Sequence, residues 1–271
     1  GVQYVVEPRP GLGKAHNAAL PFVTTEHVAF TDDDVIVDGG WVGAISDAFR
    51  AGEDVVCVTG LIAPLELRTP EQWWVEQSSG FAKGYTTRVR SLRDQADEGP
   101  LFPYDAGTLG SGANMSFRTS FLREIGGFDP SLGTGTIARG GDDLAALHLA
   151  VARGHQLVYE PAALVFHRHH STVAALENQA RGYGAGLTAY LASVVAHRPI
   201  AIWEITRRAV PGVARVFQSS SPLNDRRPQD QPPHLVRLER RAMLLGPLLY
   251  ARQRWADRGV RRRLLTPTAL R

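Results

Sequence analysis

A short apolar run that ends in three consecutive aspartates constrains the fold of this chain more than any other feature. Residues 27–30 (HVAF) have the composition of a buried strand, and Asp32, Asp33 and Asp34 follow where that strand should end. With an effective dielectric constant of about 20 and a separation of about 5 Å, adjacent carboxylates repel each other by about 3 kcal/mol. A partly buried cluster therefore requires a cation or raised pKa values. The pattern favours a divalent-metal site at a strand end, although a solvated turn that caps a helix at Trp41 accounts for the same residues.

Strands and helices alternate through the first part of the chain, as is typical of an α/β domain. Apolar strands are predicted at 4–6, 27–31 and 55–59, with helices at 13–20 and from Trp41 onward between them. The second helix should bury one face, because its apolar residues recur with helical spacing. These residues are Trp41, Ile45, Ala48 and Phe49. The expected architecture is a mixed, mainly parallel sheet flanked by helices.

The later elements are predicted from capping residues and terminating glycines. Thr69 and Gln72 form a capping box with Pro70 at the first helical position, so a helix should start there. Residues 83–104 are charged and irregular, which is typical of a loop over a site. The remaining predicted elements are a helix from Asp142 to Gly154, strands at 156–160 and 163–167, and a helix after Ser171.

The composition is that of an ordinary soluble protein with room for a sizeable core. The chain has 271 residues, of which 44% are hydrophobic and 21% are charged. Its single cysteine, Cys57, lies in an apolar run, so we expect a buried small side chain and no disulfide framework. Because no apolar stretch reaches the ~20 residues of a membrane span, we expect a cytoplasmic protein that can attach peripherally to the cytoplasmic face of a membrane.

The C-terminal residues form a basic segment in which arginines and apolar side chains are interleaved. Residues 237–271 contain ten arginines against only Glu239 and Asp257. This pattern predicts an interfacial amphipathic helix on an anionic membrane surface. A helix packed on its own domain with a solvated arginine face fits equally well. Gly246-Pro247 should kink or split the helix. Nucleic acid is not an expected partner, because no nucleic-acid fold signature accompanies the arginines.

Changes in composition predict four segments along the chain. They are a core at 1–190, a helical extension at 191–218, a linker at 219–233 and the basic helical tail at 234–271. The linker is assigned from its richness in Ser, Pro, Asp and Gln, a composition that disfavours regular structure.

Acidic or imidazole side chains occur at three strand ends or helix starts. They are Asp32 to Asp34, Asp142 with Asp143, and His167. Ligands of open α/β sheets bind beyond the carboxyl ends of the strands, so these groups are expected to converge on one crevice. Carboxylate oxygens with one imidazole suit Mn²⁺ or Mg²⁺ better than a structural zinc. The sequence therefore predicts a site for Mn²⁺ or Mg²⁺.

An ordered series of motifs resembles the family 2 glycosyltransferases, which are nucleotide-sugar enzymes with the GT-A fold. The series lies within residues 1–190 and consists of Glu7–Asn17 (EPRPGLGKAHN), Thr31–Asp34 (TDDD), Gly110–Phe117 (GSGANMSF), Gly126–Asp129 (GGFD), Gly140–Leu144 (GGDDL) and Tyr159–His167 (YEPAALVFH). Each motif is weak alone, but their order is specific. The resemblance implies metal-dependent, inverting transfer of a sugar from a nucleoside diphosphate sugar to a hydroxyl of a glycan, such as a cell-wall polysaccharide, or of a lipid-linked acceptor.

The resemblance also implies roles for the residues at the ends of the first and last core strands. Asp32 and Asp34 match the Asp-X-Asp motif, in which the first carboxylate lies near the ribose and the last binds the metal on the diphosphate. Asp33 is the variable middle residue and would face the donor. His167 matches a histidine that ligates the metal in several members, which is the favoured role; a locally hydrogen-bonded histidine is the alternative. The implied metal ligands are therefore Asp34, Asp32 and His167.

Asp142 and Asp143 stand where the family usually has a Glu-Asp pair. The resemblance implies that Asp143 is the base that removes the proton of the acceptor hydroxyl. Because the pair starts a helix, one of the two is also expected to cap it. Asp142 stays the other candidate for the base.

Five further residues match segments that contact the donor in the family. Lys14 and Asn17 match the lining of the nucleotide pocket, where Lys14 would meet a phosphate. Gly112, Ala113 and Asn114 match the turn beneath the donor sugar. An exposed helix lysine and an ordinary turn asparagine fit the same positions.

Two other functions fit parts of the sequence. A nucleotidyltransferase on a similar sheet would need a nucleoside triphosphate loop near its N-terminus, and a non-catalytic domain would only bind sugar nucleotide or membrane. Family members normally open with a strand that ends in an acidic residue reading the nucleotide base, whereas this chain begins inside the following strand. The resemblance thus implies an N-terminally truncated core that lacks half of the nucleotide pocket.

Overall fold

A six-stranded mixed sheet forms the centre of the computed structural model, which describes residues 1–79, 81–93, 98–208, 228 and 230–258. The strands are β1 (His27–Thr31), β2 (Val35–Val37), β3 (Val55–Pro64), β4 (Arg88–Arg90), β5 (Asn114–Arg118) and β6 (Gln156–His167). The sheet order is β1-β5-β3-β6-β2, and β4 also pairs with β6. The helices are α1 (Leu12–Ala19), α2 (Trp41–Arg50), α3 (Pro70–Ser79), α4 (Thr119–Glu124), α5 (Asp142–Ala152), α6 (Val173–His197) and α7 (Pro233–Ala256).

The mixed α/β architecture is confirmed, but the sheet is less parallel than expected. Among the described strand pairs, only β3 and β6 run parallel. Strands β1, β3 and β6 do point the same way, as their alternation with helices predicted. Strand β5 lies antiparallel between β1 and β3, while β2 and β4 pair antiparallel with β6. Strand β2 follows β1 after only three residues, a connection too short for the crossover that would make consecutive strands parallel.

The core lies on both faces of β3, which explains its continuous apolar sequence. On one face, Val58 and Ile62 pack against the predicted apolar side of α2. That side consists of Trp41, Ile45, Ala48 and Phe49, all of which are buried. On the other face, Cys57 packs in a second cluster with Met115 and Phe117. Burial raises the pKa of the Cys57 thiol, in keeping with an inert packing residue.

Two predicted strands differ from the structure. Residues 4–6 form no strand in the described part of the chain, and Tyr4 and Val6 are exposed, because no neighbouring strand pairs with them. The two strands expected at 156–160 and 163–167 form the single strand β6. Its register with β3 jumps from Gly60↔Glu160 to Ile62↔Val165, so the expected interruption is a bulge.

Helix α7 packs along α6 and continues through Gly246-Pro247, so the expected split of the helix does not occur. Pro247 lacks an N–H, which leaves the carbonyl of Met243 without its helical partner. The hydroxyl of Thr188 on α6 donates to that carbonyl at 2.7 Å. A Cβ at Gly246 would overlap the same hydroxyl, so the glycine permits the close approach. A neighbouring helix therefore supplies the hydrogen bond that the proline removes.

The expected segment boundaries can be compared with the structure only in part. The boundary between 190 and 191 falls inside α6, and most of the linker at 219–233, with residues 259–271 of the tail, lies outside the described residues. The described part of the tail is attached to the core, since the hydroxyl of Tyr250 donates to Asp129 Oδ2 at 2.8 Å. Among the described residues, no helix combines enough length and hydropathy to cross a bilayer.

Candidate active site

Strand pairing brings the aspartate run and the strand-end histidine together. The turn after β1 carries the three aspartates into β2, whose Val35 pairs with His167 at the end of β6. The ligand atoms of Asp32, Asp34 and His167 consequently lie within 4.8 Å of one another. His167 Nε2 is 3.5 Å from Asp34 Oδ1. Asp33 is exposed and is not part of this group.

The chemistry of these side chains fits a divalent cation. Burial, and then the charges of Asp34, Asp143 and Asp33, raise the pKa of Asp32 to about 6. Burial is the larger cause, and the three neighbouring carboxylates add to it because no cationic side chain among the described residues offsets their charge at Asp32. Two carboxylates and one imidazole suit Mn²⁺ or Mg²⁺ and leave coordination positions for a ligand. The residues expected to bind a metal therefore fit one.

The two acids at the start of α5 point in different directions. The helix is capped by Gly141 at a φ of 88° with no capping side chain, so the expectation that one aspartate caps it is wrong. A Cβ at Gly141 would lie 2.5 Å from the carbonyl oxygen of Gly186, and only glycine fits this approach. Asp142 is 4% exposed, and its Oδ2 lies 3.8 Å from His16 Nδ1. Asp143 is partly buried, and its charge contributes to the raised pKa of Asp32.

Backbone N–H groups hold the carboxylate of Asp143. Its Oδ2 accepts from the N–H of Gly112 at 2.9 Å and its Oδ1 from that of Leu144 at 2.8 Å. Burial raises the pKa of Asp143, while these two N–H groups and the charge of Lys83 oppose the rise. At Asp142, burial and the charge of Asp143 raise the pKa. Hydrogen bonds from two backbone N–H groups therefore stabilise the ionised form of Asp143.

Two residues near the acids were not identified from the sequence. Lys83 lies close enough to Asp143 for its charge to lower the pKa of that carboxyl. Desolvation and the charge of Asp143 raise the pKa of Tyr183 on α6, whose hydroxyl accepts from Gln179 Nε2 at 2.9 Å. Lys83 is the first residue of the irregular segment 83–104, which was expected to cover a site. That position could have indicated from the sequence that Lys83 lies near the site. Tyr183 lies within a long helix, and no local pattern distinguishes it.

Lys14 and Asn17 have interior partners. Lys14 Nζ lies 3.1 Å from Asp257 Oδ1 and donates to the carbonyl of Pro10 at 3.0 Å. Asn17 binds both backbone groups of Phe128, with its Nδ2 donating and its Oδ1 accepting at 2.8 Å. Both side chains are buried, and these partners are not among Asp32, Asp34, His167 and Asp143.

The turn at 112–114 is divided between the cleft and the core. Gly112 touches the site through its N–H on Asp143. Ala113 is buried, and its carbonyl oxygen accepts a hydrogen bond from Thr31 Oγ1 at 3.0 Å.

Asn114 is 1% exposed and joins three elements of the core. Its Nδ2 donates to the carbonyls of Leu61 at 3.1 Å and Ala163 at 2.7 Å, and its Oδ1 accepts from Trp41 Nε1 at 3.0 Å. Asn114 would have to leave these partners to reach a donor sugar.

The fold and the cleft together define an α/β protein with carboxylates and an imidazole gathered at its strand ends. The chain belongs to glycosyltransferase like family 2, whose model matches residues 1–185. The family expected from the ordered motifs is therefore confirmed.

Named relatives share about a quarter of their aligned residues with this chain. The pre-mycofactocin glycosyltransferase of Mycobacterium tuberculosis is 26% identical over 163 residues, which are 59% of this chain and 30% of that protein. The glucosyl-dolichyl phosphate glucuronosyltransferase of Haloferax volcanii is 24% identical over 165 residues, which are 58% of this chain and 48% of that protein. The chain thus spans less than half the length of each relative.

A solved structure of similar type is a mannosyltransferase from Pyrobaculum calidifontis in complex with GDP-Man and Mn²⁺. It aligns with a TM-score of 0.43 and 15% identity over 93% of this chain and 55% of that one.

Proposed function

We propose that the complete protein is a metal-dependent, inverting glycosyltransferase that uses a nucleoside diphosphate sugar. The observation that carries this proposal is the convergence of Asp32, Asp34 and His167 within 4.8 Å in a chain of glycosyltransferase like family 2. The acceptor would be a hydroxyl of a glycan or of a lipid-linked sugar. The relative from Haloferax volcanii, a glucosyl-dolichyl phosphate glucuronosyltransferase by name, supports a lipid-linked acceptor.

Asp32, Asp34 and His167 would hold Mn²⁺ or Mg²⁺. When bound, the ion would supply charge stabilisation for the diphosphate that leaves the sugar. Asp32 would also lie near the ribose of the donor, and Asp33 and Gly112 are proposed to line the donor site at the edge of the cleft.

Asp143 is proposed as the base. The acceptor oxygen would form a bond to the anomeric carbon while the bond from that carbon to the diphosphate breaks, and the hydroxyl proton would pass to Asp143. The N–H groups of Gly112 and Leu144 fix the orientation of this carboxylate. Proton removal of this kind typically contributes ~10² to 10⁴-fold to the rate.

Attachment to an anionic membrane surface is proposed for the outer face of α7. The inner face of this helix packs on α6, yet Leu244, Leu248 and Trp255 are between 66% and 82% exposed. Exposed arginines, including Arg237 and Arg252, stand on the same helix. Apolar side chains between arginines suit the boundary between lipid headgroups and acyl chains. Such attachment would bring the cleft near lipid-linked acceptors.

Metal removal and replacement test the proposed function. On the complete protein, chelation should abolish sugar transfer, and Mn²⁺ or Mg²⁺ should restore it. Asp34→Asn should lower the affinity for Mn²⁺ and the transfer rate together, whereas Asp47→Asn on the exposed side of α2 makes the same charge change as a control. Transfer that survives complete chelation would refute metal dependence.

A further inference from the structure

A chain of polar contacts leads from the acidic cleft into the protein through His169. The side chain of His169 is fully buried, and its Nε2 lies 3.0 Å from Glu76 Oε2 on α3. Its other ring nitrogen, Nδ1, lies 3.4 Å from His167 Nδ1. His167 Nε2 in turn faces Asp34 Oδ1. Four side chains therefore form a continuous series that begins at Glu76 and ends at the proposed metal ligands.

The carboxylate at one end of this series determines where the protons lie. An ionised carboxylate can only accept, so His169 must donate its Nε2–H to Glu76. The neutral His169 ring then has a lone pair on Nδ1, and His167 must donate its Nδ1–H to it. This tautomer leaves the lone pair of His167 on Nε2, which is the nitrogen that faces Asp34. A metal-ligating histidine characteristically donates its second N–H to such a partner.

The surrounding structure holds His169 in place. The predicted capping box forms at the start of α3, where Gln72 Oε1 accepts from the N–H of Thr69 at 3.2 Å. Gln72 Nε2 also donates to the carbonyl of His169 at 3.4 Å. The ring of Phe81 covers both imidazoles, with centroid distances of 5.4 Å to His167 and 5.6 Å to His169. The helix that carries Glu76 is therefore joined directly to the backbone of His169.

We propose that Glu76 and His169 are positioning residues that set the tautomer and the ring orientation of His167 for binding a divalent cation. This inference rests on the proposed metal site. The interaction links α3, which contributes no metal ligand, to the end of β6. Loss of a partner in this outer layer typically lowers metal affinity 10- to 100-fold.

Mn²⁺ binding and histidine tautomers provide two independent tests. Free Mn²⁺ would be measured by electron paramagnetic resonance during titration of the complete protein without donor. Glu76→Gln should weaken Mn²⁺ binding by about 10- to 100-fold, and Glu76→Asp should recover part of the loss. The matched control is Glu177→Gln, which removes a carboxylate from another Glu–His pair, 3.1 Å from His234, and should bind Mn²⁺ like the wild type.

The imidazole ¹⁵N shifts of His167 would be recorded on metal-free protein. The wild type should show the Nδ1–H tautomer, and Glu76→Gln should show a mixture of tautomers. Urea unfolding would establish that each variant is folded. A folded Glu76→Gln protein with wild-type Mn²⁺ affinity, or an Nε2–H tautomer in the wild type, would overturn the inference. A wild type that binds no Mn²⁺ would instead refute the proposed metal site, while the tautomer measurement would still decide the positioning role.

Discussion

Two of the regions in which charged side chains meet differ in their surroundings. Where α1 contacts the end of α7, Lys14 and Asp257 are 3.1 Å apart, and their side chains are 5% and 8% exposed. At the strand ends, Asp32 and Asp34 lie together with His167, and the side chain of Asp34 is 42% exposed. The first region pairs one cation with one anion, whereas the second gathers like charges at the surface.

The difference separates a structural contact from a binding site. A buried matched pair is satisfied by the chain itself, and losing either partner leaves an isolated buried charge. A half-buried cluster of carboxylates has the opposite property, because the chain leaves its repulsion to be relieved by protonation or by a cation from solution. Lys14 was expected to meet a phosphate, and its burial beside Asp257 favours a structural role. The predictions below test this division.

The largest effect is expected for Asp143, because the proposed chemical step depends on it directly. In the complete protein, Asp143→Asn should lower the transfer rate by at least ~10² while donor and Mn²⁺ affinities stay within a few fold. Rapid-quench measurement of transfer and titration of donor would separate the two quantities. Asp142→Asn is the matched comparison at the adjacent position. If it alone loses transfer, the two roles are exchanged, and if neither variant matters, the inverting mechanism is wrong.

The next effect concerns the buried pair. Lys14→Met should reduce the free energy of unfolding by about 3–5 kcal/mol, because Asp257 would stay buried without a cation. Urea denaturation measures this loss, and the double variant Lys14→Met/Asp257→Leu should recover most of it. An unchanged stability together with a raised KM for the donor would show that Lys14 serves the diphosphate instead.

A smaller effect should appear in the pH dependence of stability. The pKa of Asp32 is raised from 3.8 to about 6, so between these values the folded protein binds more protons than the unfolded chain. The contribution of Asp32 to stability therefore falls as pH rises through this window. Thermal unfolding of metal-free wild type should show a steeper decline from about pH 4 to about pH 6 than Asp32→Asn. Saturating Mn²⁺ should oppose the decline, and identical profiles for the two proteins would contradict the assignment.

The smallest effect is expected on the outer face of α7. Arg252→Gln should lower binding to anionic liposomes about fivefold, since each arginine near such a surface contributes about 1 kcal/mol. Arg50→Gln on α2 is the control, and added salt should reduce the difference. Equal sedimentation of the two variants with liposomes would leave α7 as a helix that only packs on α6.

Short-range signals account for what could be predicted from the sequence. The buried face of α2, the start of α3 at Pro70 and the bounds of β1 each depend on residues within two or three helical turns or a single strand. The aspartate run itself indicated a cation site, because repulsion between neighbours is a local property. The order of the motifs identified the family without any knowledge of contacts.

The sequence by itself therefore determined several of the helices and strands, the family and the acidic strand end. Only the tertiary structure decided which polar side chains serve the cleft and which serve the core. Asn17 forms a hydrogen bond with Phe128, which is 111 positions away in the sequence. His169 contacts Glu76, which is 93 positions away. Such contacts depend on how the strands pair and how the helices pack, so no local pattern distinguishes a buried hydrogen-bonded asparagine from one that faces a ligand.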